Sequence, residues 1–288
     1  MRKRWVGYAF ISPWLLGFLI FTAYPFIASV YFSFTRYDMV SSPHWVGWAN
    51  YQTLVHDDPL FWKSLVVTFR FALFSVPLGV VTGVGLALLL NMNVRGISIY
   101  RTLFFLPSIA PAVANAMVFL WLLNPEIGLI NSLLRRMHVE GPSWLGSTTW
   151  APWSLVLMSL WGIGGSMVIY LAGLKDIPAH LYEAATIDGA GPFHRLRHVT
   201  LPMLTPVIFF NLVMGVIGAF QYFTEAYVMT QGGPEDSTLF YALYLFRRAW
   251  QYLDMGYASA MAWVLFLIVM AVTGLLFKTQ RKWVHYGD

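Results

Sequence analysis

Six stretches of the sequence are long, apolar and almost free of charge. A helix of about 20 apolar residues, rising about 1.5 Å per residue, crosses a hydrocarbon core of roughly 30 Å. Because lipid offers the backbone of an open chain no hydrogen-bond partner, each stretch is predicted to be a transmembrane helix. The predicted fold class is therefore all-α integral membrane, with six transmembrane helices. The stretches are 5–35, 64–90, 102–125, 150–174, 203–224 and 256–277, and their only charged residue is Arg70.

The composition agrees with this prediction. Hydrophobic residues make up 58% of the 288 residues and charged residues 11%, whereas about a quarter of the residues in soluble domains are charged. The basic opening followed by an apolar run resembles a secretory signal, but the run is too long for one, so we expect a retained first span. The sequence has no cysteine, which excludes a disulfide framework and a thiolate metal site. We expect one membrane domain over residues 1–288.

The distribution of Lys and Arg predicts the orientation of the chain. Counted over the connections between the six stretches, eleven lie on one side and six on the other. By the positive-inside rule the richer side is cytoplasmic, and both termini are predicted to lie there. The net charge of +5 is thus a topology signal and not one of nucleic-acid binding, for which basic residues would cluster on one face. The eleven are Arg2, Lys3, Arg4, Arg95, Arg101, Lys175, Arg195, Arg197, Lys278, Arg281 and Lys282, and the six are Arg36, Lys63, Arg135, Arg136, Arg247 and Arg248.

The inner loop at 175–202 is longer than a simple turn requires. Its pattern predicts a short helix that starts with Asp176 as N-cap and Pro178 in the first turn, where a missing N–H costs nothing. Gly189 and Gly191 are predicted to end this helix. The residues that share one of its faces at helical spacing are Leu181, Ala184, Ala185 and Asp188.

A second short helix is predicted to follow in the same loop. Pro192 opens it, and the apolar Phe193, Leu196 and Val199 align at helical spacing. Leu201-Pro202 is expected to break the chain before the fifth span. The small residues beside Glu183 would let another protein approach closely, and its carboxylate offers a partner to a cation. The alternative is a solvated connector.

The same loop carries a family signature. Its spacing reproduces the pattern EAA---G---------I-LP, with Val in place of Ile, and the chain resembles the permease subunit of a bacterial binding-protein-dependent ABC importer. Stretches at 24–38, 45–51, 101–113 and 230–238 narrow the resemblance to the sugar-importer branch, of the maltose and glycerol-3-phosphate type. We expect this chain to depart from the maltose-type larger subunit, without its extra N-terminal spans and its long outer domain. The signature residues are Glu183, Ala184, Ala185, Gly189, Val199, Leu201 and Pro202.

The resemblance implies the type I ABC importer permease fold in the bacterial cytoplasmic (inner) membrane. It makes 175–202 the coupling loop, in which Glu183, Ala184, Ala185 and Gly189 dock into a groove of a cytoplasmic ATPase. The implied partners are a second homologous permease subunit in a heterodimer, two ATPase subunits, an extracytoplasmic solute-binding protein and the surrounding lipid. The implied substrate is a sugar, oligosaccharide or sugar derivative. ATP and Mg would bind to the partner ATPase.

No catalytic or metal site is predicted in this chain. It has no G-x-x-x-x-G-K-[ST] loop to cradle phosphates, so ATP hydrolysis belongs on another chain. His194 and His198 have zinc-compatible spacing, but the residues between them supply two cations and no carboxylate, which favours a surface helix face. The outer acidic pairs Asp57-Asp58 and Glu235-Asp236 are interpreted as solvated loop charge, with contact to a binding protein as the alternative.

Two spans contain candidate residues for a substrate path. In the fourth, Trp161 lies beside a run of small residues that includes Gly162 and Gly165. An aromatic face can stack on a sugar ring, and the glycines would leave room for the ring. The alternative is close helix packing, for which membrane helices use small residues.

The end of the fifth span is polar. Gln221, Tyr222 and Glu225, preceded by Gly218, offer hydrogen bonds three and four residues apart on one face. The resemblance also places substrate contacts on the fourth and fifth helices. Arg70 is predicted at a similar outer depth to Glu225, which suggests a paired gate or a contact to an anionic substrate. Snorkelling of Arg70 to the interface is the alternative.

A membrane enzyme and a secondary transporter are the two alternatives to a transport subunit of an ATP-driven importer. A membrane enzyme, such as a lipid-linked transferase, would need a cluster of acid and base residues at one membrane face, and the outer charges form no such pattern. A secondary transporter would use carboxylates within its spans for ion coupling, and the middle of each span has none. Co-purification with an ATPase and a second permease separates the three classes.

Overall fold

The computed structural model describes the backbone of residues 2–285 and the side chains of residues 8 and 10–285. The side chains of Arg2, Lys3 and Arg4, which were counted in predicting the orientation of the chain, lie outside the described residues. In chain order the helices are α1 (Arg2–Phe18), α2 (Tyr24–Ser33), α3 (Ala49–His56), α4 (Pro59–Leu90), α5 (Ile97–Ile109), α6 (Ala112–Leu122), α7 (Leu129–Arg136), α8 (Trp150–Ser159), α9 (Gly164–Lys175), α10 (Ala179–Ile187), α11 (Pro192–Arg195), α12 (Leu201–Phe220), α13 (Thr224–Met229), α14 (Tyr241–Phe246) and α15 (Met255–Gln280).

Three π-helical turns continue neighbouring helices. They lie at Leu19–Ala23 between α1 and α2, at Leu196–Thr200 between α11 and α12, and at Arg247–Gln251 after α14. The short strands β1 (Thr35–Arg36) and β2 (His44–Trp45) pair antiparallel, with Thr35 opposite Trp45. The predicted outer loops therefore contain structured segments of their own.

Four helical segments in the described chain are long and apolar enough to cross a membrane. They are Phe10–Ser33, Pro59–Leu90, Pro192–Met229 and Met255–Gln280. These segments coincide with the first, second, fifth and sixth predicted spans. The third and fourth predicted spans are each a bent helix pair, so the described chain has six spans if each pair is counted as one.

The bends of these two pairs were not predicted from the sequence, and the sharper one has a local cause. α5 and α6 meet at 100°. Ala110 is extended, with ψ 139°, because the ring of Pro111 disfavours a helical conformation in the residue before it. α8 and α9 meet at 46° across a turn that contains Gly162. An apolar segment without charge thus predicted the span but not its shape.

The chain forms two compact units. One contains the residues up to Trp62 together with Tyr244–Leu267, and the other contains Lys63–Leu243 together with the residues from Ile268. In the second unit, a buried core joins the end of α4 to α9 and the start of α12, and Leu181 and Tyr182 of the inner loop pack against it. This core supports the inner loop from the membrane side.

In the first unit, Asp58 is buried among three aromatic and basic side chains. Its Oδ1 accepts hydrogen bonds from the backbone N–H groups of Leu60 and Phe61, at 3.0 and 3.2 Å, which caps the N-terminus of α4. Its Oδ2 accepts from the hydroxyls of Tyr244 and Tyr257, both at 2.5 Å. The prediction of solvated loop charge is wrong for Asp58, because it is 6% exposed and fully engaged.

Arg248 completes this cluster. Its Nη2 lies 3.1 Å from Asp58 Oδ2, its Nε donates to Tyr244 Oη at 2.8 Å, and its guanidinium lies over the Tyr257 ring at 4.5 Å. Burial alone would raise the pKa of Asp58. The hydrogen bonds from Tyr244 and Tyr257 and the charge of Arg248 outweigh burial and hold that pKa below its usual value.

Two adjacent glycines in the fourth span have different surroundings. A Cβ at Gly164 would overlap the backbone of Phe104 and Phe105 in α5, so this glycine lets α9 approach α5 closely. A Cβ at Gly165 would meet nothing within 4 Å. The helix-packing interpretation of this run therefore applies to Gly164, whereas packing within the chain does not require Gly165 to be small.

Replacement of Asp58 should destabilise the first unit. Asp58→Asn removes the charge that Arg248 and two tyrosines satisfy, and we expect a loss of about 2–3 kcal/mol, read as a lower melting temperature in detergent. Because the folded-state pKa of Asp58 is depressed, its contribution is complete above the pKa of the unfolded chain and disappears as pH falls through the folded value. The difference between wild type and variant should therefore shrink below about pH 4. The exposed neighbour supplies the control, Asp57→Asn, and equal melting of the two variants at neutral pH would contradict the assignment.

The glycine pair supports a second matched comparison. Gly164→Ala should cost about 1–3 kcal/mol, since the new methyl group meets backbone that cannot move aside easily. Gly165→Ala should leave stability within about 0.5 kcal/mol of wild type, because its position is open. Melting of both variants in detergent checks the difference, and comparable losses would show that α5 and α9 do not meet as described.

Candidate functional site

A cavity of about 370 Å³ lies in the second unit, between α4, the bend of the fourth span and α12. Phe71 and Tyr222 give it an aromatic side, and no charged side chain of the described chain lines it. Hydroxyl and amide groups provide its polar lining. They belong to Ser75, Ser159, Ser166, Tyr170, Asn211 and Tyr222.

Three of the predicted path residues line this cavity. They are Gly162, Gly218 and Tyr222. The other five, Trp161, Gly165, Gln221, Glu225 and Arg70, are not among its lining residues. Trp161 is 49% exposed and packs edge-on against Phe119, with ring centroids 5.7 Å apart. Of the predicted face at the end of the fifth span, Tyr222 lines the cavity, whereas Gln221 and Glu225 do not.

Gly162 and Gly218, two of the four glycines that line the cavity, have no packing role within the described chain. A Cβ at Gly162 or Gly218 would meet nothing within 4 Å, and neither has the positive φ that demands glycine. By contrast, a Cβ at Gly215 on the same helix as Gly218 would lie 3.3 Å from Val76. Open space beside Gly162 and Gly218 leaves room for a ligand or for another chain.

The hydroxyl of Tyr222 is the least satisfied polar group of the cavity. The ring is held by Phe71 and Phe240, at centroid distances of 4.4 and 5.1 Å. Its Oη is buried and has no hydrogen-bond partner within the described chain. A buried polar group without a partner costs about 1–3 kcal/mol. A ligand hydroxyl or a water at this position would remove that cost.

Sequence reasoning missed Ser75 and Asn211. Asn211 lies one to two turns before Gly215 and Gly218, and its Nδ2 donates to Val207 O at 2.9 Å. It is an amide within an apolar span, a type of residue that is rare in lipid and marks a functional position by default. That signal was present in the sequence. Ser75 had no such signal, because small hydroxyl residues are common in membrane helices.

The structure does not bring Arg70 and Glu225 together. The ion pairs within 4 Å in the described chain are Arg248–Asp58 and the exposed Lys63–Asp236, at 3.1 and 3.7 Å. Arg70 is exposed on a stripe of α4 that does not face the cavity. The predicted pair is therefore absent from this conformation. The prediction rested on the depth of the two residues in the membrane, which does not determine the direction in which each side chain points.

The inner loop forms two short helices joined by a tight turn. α10 ends at Ile187, and Gly189 has φ +75°, as its predicted role at the helix end requires. The predicted N-cap is wrong, since Pro178 occupies that position. Asp176 instead follows α9 as its C-cap, because the N–H of Asp176 bonds to Ala172 O at 3.2 Å and continues the turn of that helix.

A groove of about 530 Å³ lies between the two helices of this loop. All four residues of the predicted face line it, together with Gly189. Glu183 is exposed, and Ile187 and Phe193 are 87% and 74% exposed. His194 and His198 also line the groove and stack with ring centroids 4.0 Å apart. The loop thus presents small, apolar and charged groups outward from the unit.

The chain does not break before the fifth span, which corrects the sequence prediction. α11, the π-helical turn at Leu196–Thr200 and α12 form one continuous helix, with Pro202 in the first turn of α12. A proline removes one backbone donor, and a π-helical turn accommodates the altered hydrogen-bond pattern without ending the helix. Part of the inner loop is therefore an extension of the fifth span.

Comparison with known proteins agrees with this architecture. Residues 75–285 match the family described as binding-protein-dependent transport system inner membrane component. The probable ABC transporter permease protein YesP of Bacillus subtilis is 49% identical over 99% of this chain and 93% of its own length. The sulfoquinovosyl glycerol transport system permease protein SmoG of Agrobacterium fabrum is 35% identical over 98% and 92%.

A solved structure supports the fold. A bacterial ABC transporter involved in the import of the acidic polysaccharide alginate superposes with a TM-score of 0.86 over 98% of this chain and 96% of that chain, at 22% identity. The predicted ABC importer permease fold is thus confirmed. From its sequence and its fold, the chain belongs to the family of binding-protein-dependent transport system inner membrane components and is a multi-pass membrane permease.

Proposed function

We propose that this permease forms half of the translocation path for a sugar, an oligosaccharide or a sugar derivative in the bacterial cytoplasmic membrane. The observation that supports this most is the cavity beside Tyr222. Sugars present hydroxyl groups around an apolar ring face, and the cavity offers the complementary groups, namely neutral donors and acceptors around aromatic rings. Its volume of about 370 Å³ lies in the range of small-molecule sites. The name of the 35% identical relative SmoG, a sulfoquinovosyl glycerol transport system permease protein, also supports a sugar derivative as the substrate.

The path residues follow from this cavity. Tyr222 would bind a substrate hydroxyl through its unpaired Oη, while Gly162 and Gly218 leave room for the ring. Asn211 and Ser75 add polar contacts that the sequence did not predict. Trp161, Gly165 and Gln221 lie beside the cavity lining, where a second homologous permease subunit would close the path as a heterodimer.

Energy for transport would come from other chains. This chain has no phosphate-binding loop, so ATP and Mg would bind to two cytoplasmic ATPase subunits. The inner loop would dock on them through Glu183, Ala184, Ala185 and Gly189. Gly191, whose φ is −69° and whose Cβ would meet nothing within 4 Å, has no need to be small within this chain. A partner chain that approaches closely at this position would explain why the residue is glycine. An extracytoplasmic binding protein would deliver the substrate to the outer loops.

Removal of the Tyr222 hydroxyl tests the path. Tyr222→Phe should lower sugar uptake in proteoliposomes about three- to tenfold, because a lost hydrogen bond of about 1 kcal/mol changes binding by about that factor. The variant should lose no thermal stability. The hydroxyl has no partner inside the described chain, so its removal breaks no internal contact. Tyr100→Phe, at an exposed position outside the cavity, serves as the control. Uptake at the wild-type rate in Tyr222→Phe would argue against a path through this cavity.

Charge reversal at Glu183 tests the coupling loop. Glu183→Lys should uncouple ATP hydrolysis from uptake or release the ATPase, because a charge that faces a cationic partner becomes repulsive. The comparison variant is Glu140→Lys, which reverses an exposed charge in a predicted outer loop. Substrate-stimulated ATPase activity and co-purification of the ATPase are measured for both. Normal assembly and normal substrate stimulation of the ATPase in Glu183→Lys would contradict the docking proposal.

A further inference from the structure

The fifth-span helix connects the groove of the inner loop directly with the cavity. It runs without interruption from Pro192 to Phe220, which corresponds to about 40 Å of helix. Its first turns line the groove through Arg195 and Val199, and its later turns line the cavity through Asn211 and Gly218. Because no loop intervenes, a displacement at one end reaches the other along a single rigid element.

α10, in contrast, is joined to its neighbours by short non-helical segments. Residues 188–191, which include two glycines, connect it to α11, and residues 176–178 connect it to α9. Gly189 and Gly191 place little steric restriction on the backbone of the first connection. Contacts between α10 and the fifth-span helix must therefore fix how far one moves when the other moves.

A partly buried hydrogen bond between two hydroxyls provides such a contact. Tyr182 Oη on α10 lies 3.0 Å from Thr200 Oγ1 at the last position of the π-helical turn. Thr200 is 6% exposed, and its hydroxyl also lies 3.3 Å from Arg195 O, which only accepts. Both contacts of Thr200 Oγ1 are made when Thr200 donates to Arg195 O and Tyr182 donates to Thr200. The π-helical turn and α10 are thus joined through one threonine oxygen.

A second link joins the same elements at the surface. Arg195 Nη1 donates to Thr186 Oγ1 at 3.3 Å, and Thr186 donates in turn to Tyr182 O at 2.7 Å. This link is exposed and long, so water competes with it. The Tyr182–Thr200 bond is shorter and partly buried, which makes it the stronger of the two, and it lies where the helix changes from the loop segment to the membrane span.

We propose that Thr200 and Tyr182 are positioning residues that fasten α10 to the fifth-span helix, so that movement of the coupling loop is transmitted to the substrate cavity. The inference rests on the proposed coupling of this loop to an ATPase. Neither residue lines the cavity or the groove. Loss of the bond leaves the loop in place on its apolar core but allows α10 to move without moving the helix that lines the cavity.

The test measures the ratio of sugar transported to ATP hydrolysed by the full complex in proteoliposomes. Thr200→Val and Tyr182→Phe each remove one hydroxyl and keep the shape of the side chain. Each should lower the ratio about three- to tenfold at unchanged ATPase binding, and the double variant should lose no more than the worse single one, since both act on one bond. Thr200→Ser, which keeps the hydroxyl, should restore most of the ratio. Thr102→Val, which removes a hydroxyl bonded only within α5, is the control.

The possible outcomes separate the inference from the proposed function. A wild-type ratio in both single variants, additive losses in the double variant, or equal losses in Thr200→Val and Thr200→Ser would each overturn the inference. If Thr200→Val lowers the yield of complex, the ratio of Tyr182→Phe decides. If the wild-type complex shows no substrate-stimulated ATPase, the proposed function itself fails. If the wild-type complex shows substrate-stimulated ATPase activity and Thr200→Val and Tyr182→Phe both keep the wild-type ratio, the proposed function stands and the fastening role is wrong.

Discussion

The rest of this structure depends on the need of every backbone N–H and C=O group in lipid for a hydrogen-bond partner. Long helices meet this need by themselves, as α4 and α15 do. Where the backbone leaves the helix inside an apolar stretch, it needs protein or a cavity beside it. The turn between α8 and α9 satisfies that condition, since Leu160, Gly162 and Ile163 of this turn all line the cavity. The interruption that makes the fourth span irregular is thus also what opens the candidate path.

The sequence was most informative where a single local rule decides the outcome. Runs of apolar residues predicted the four long spanning helices and the two bent helix pairs of the described chain. The preference of a positive-φ position for glycine placed Gly189 at the end of α10. It was least informative where two rules compete. Pro202 was expected to break the chain before the fifth span. Instead, the π-helical turn before it accommodates the missing backbone N–H, and the helix continues. Pro111 lies in an equally apolar stretch and produces a bend of 100°. The proline alone does not reveal which of these results the surrounding chain will allow.

Contacts between distant residues were the other limit. Asp58 is charged, lies in a loop and has an acidic neighbour, so local reasoning favours exposure. Its partners Tyr244, Arg248 and Tyr257 follow almost 200 positions later, and only the folded chain brings them together. Arg70 illustrates the opposite error. Its expected depth in the membrane suggested Glu225 as a partner, but the direction of its side chain depends on which face of α4 packs, and depth does not determine that face.

The unbroken helix from Pro192 to Phe220 limits which changes in chain length the protein can tolerate. An inserted or deleted residue within a helix rotates everything beyond it by about 100°. A single-residue deletion between Thr200 and Asn211 would therefore turn Asn211 and Gly218 away from the cavity while the groove stayed intact. Outer loops such as the segment between β1 and β2 face no such requirement. Over evolutionary time, length variation should accumulate in those loops, while the spacing from Pro192 to the cavity residues Asn211 and Gly218 should remain constant to the residue.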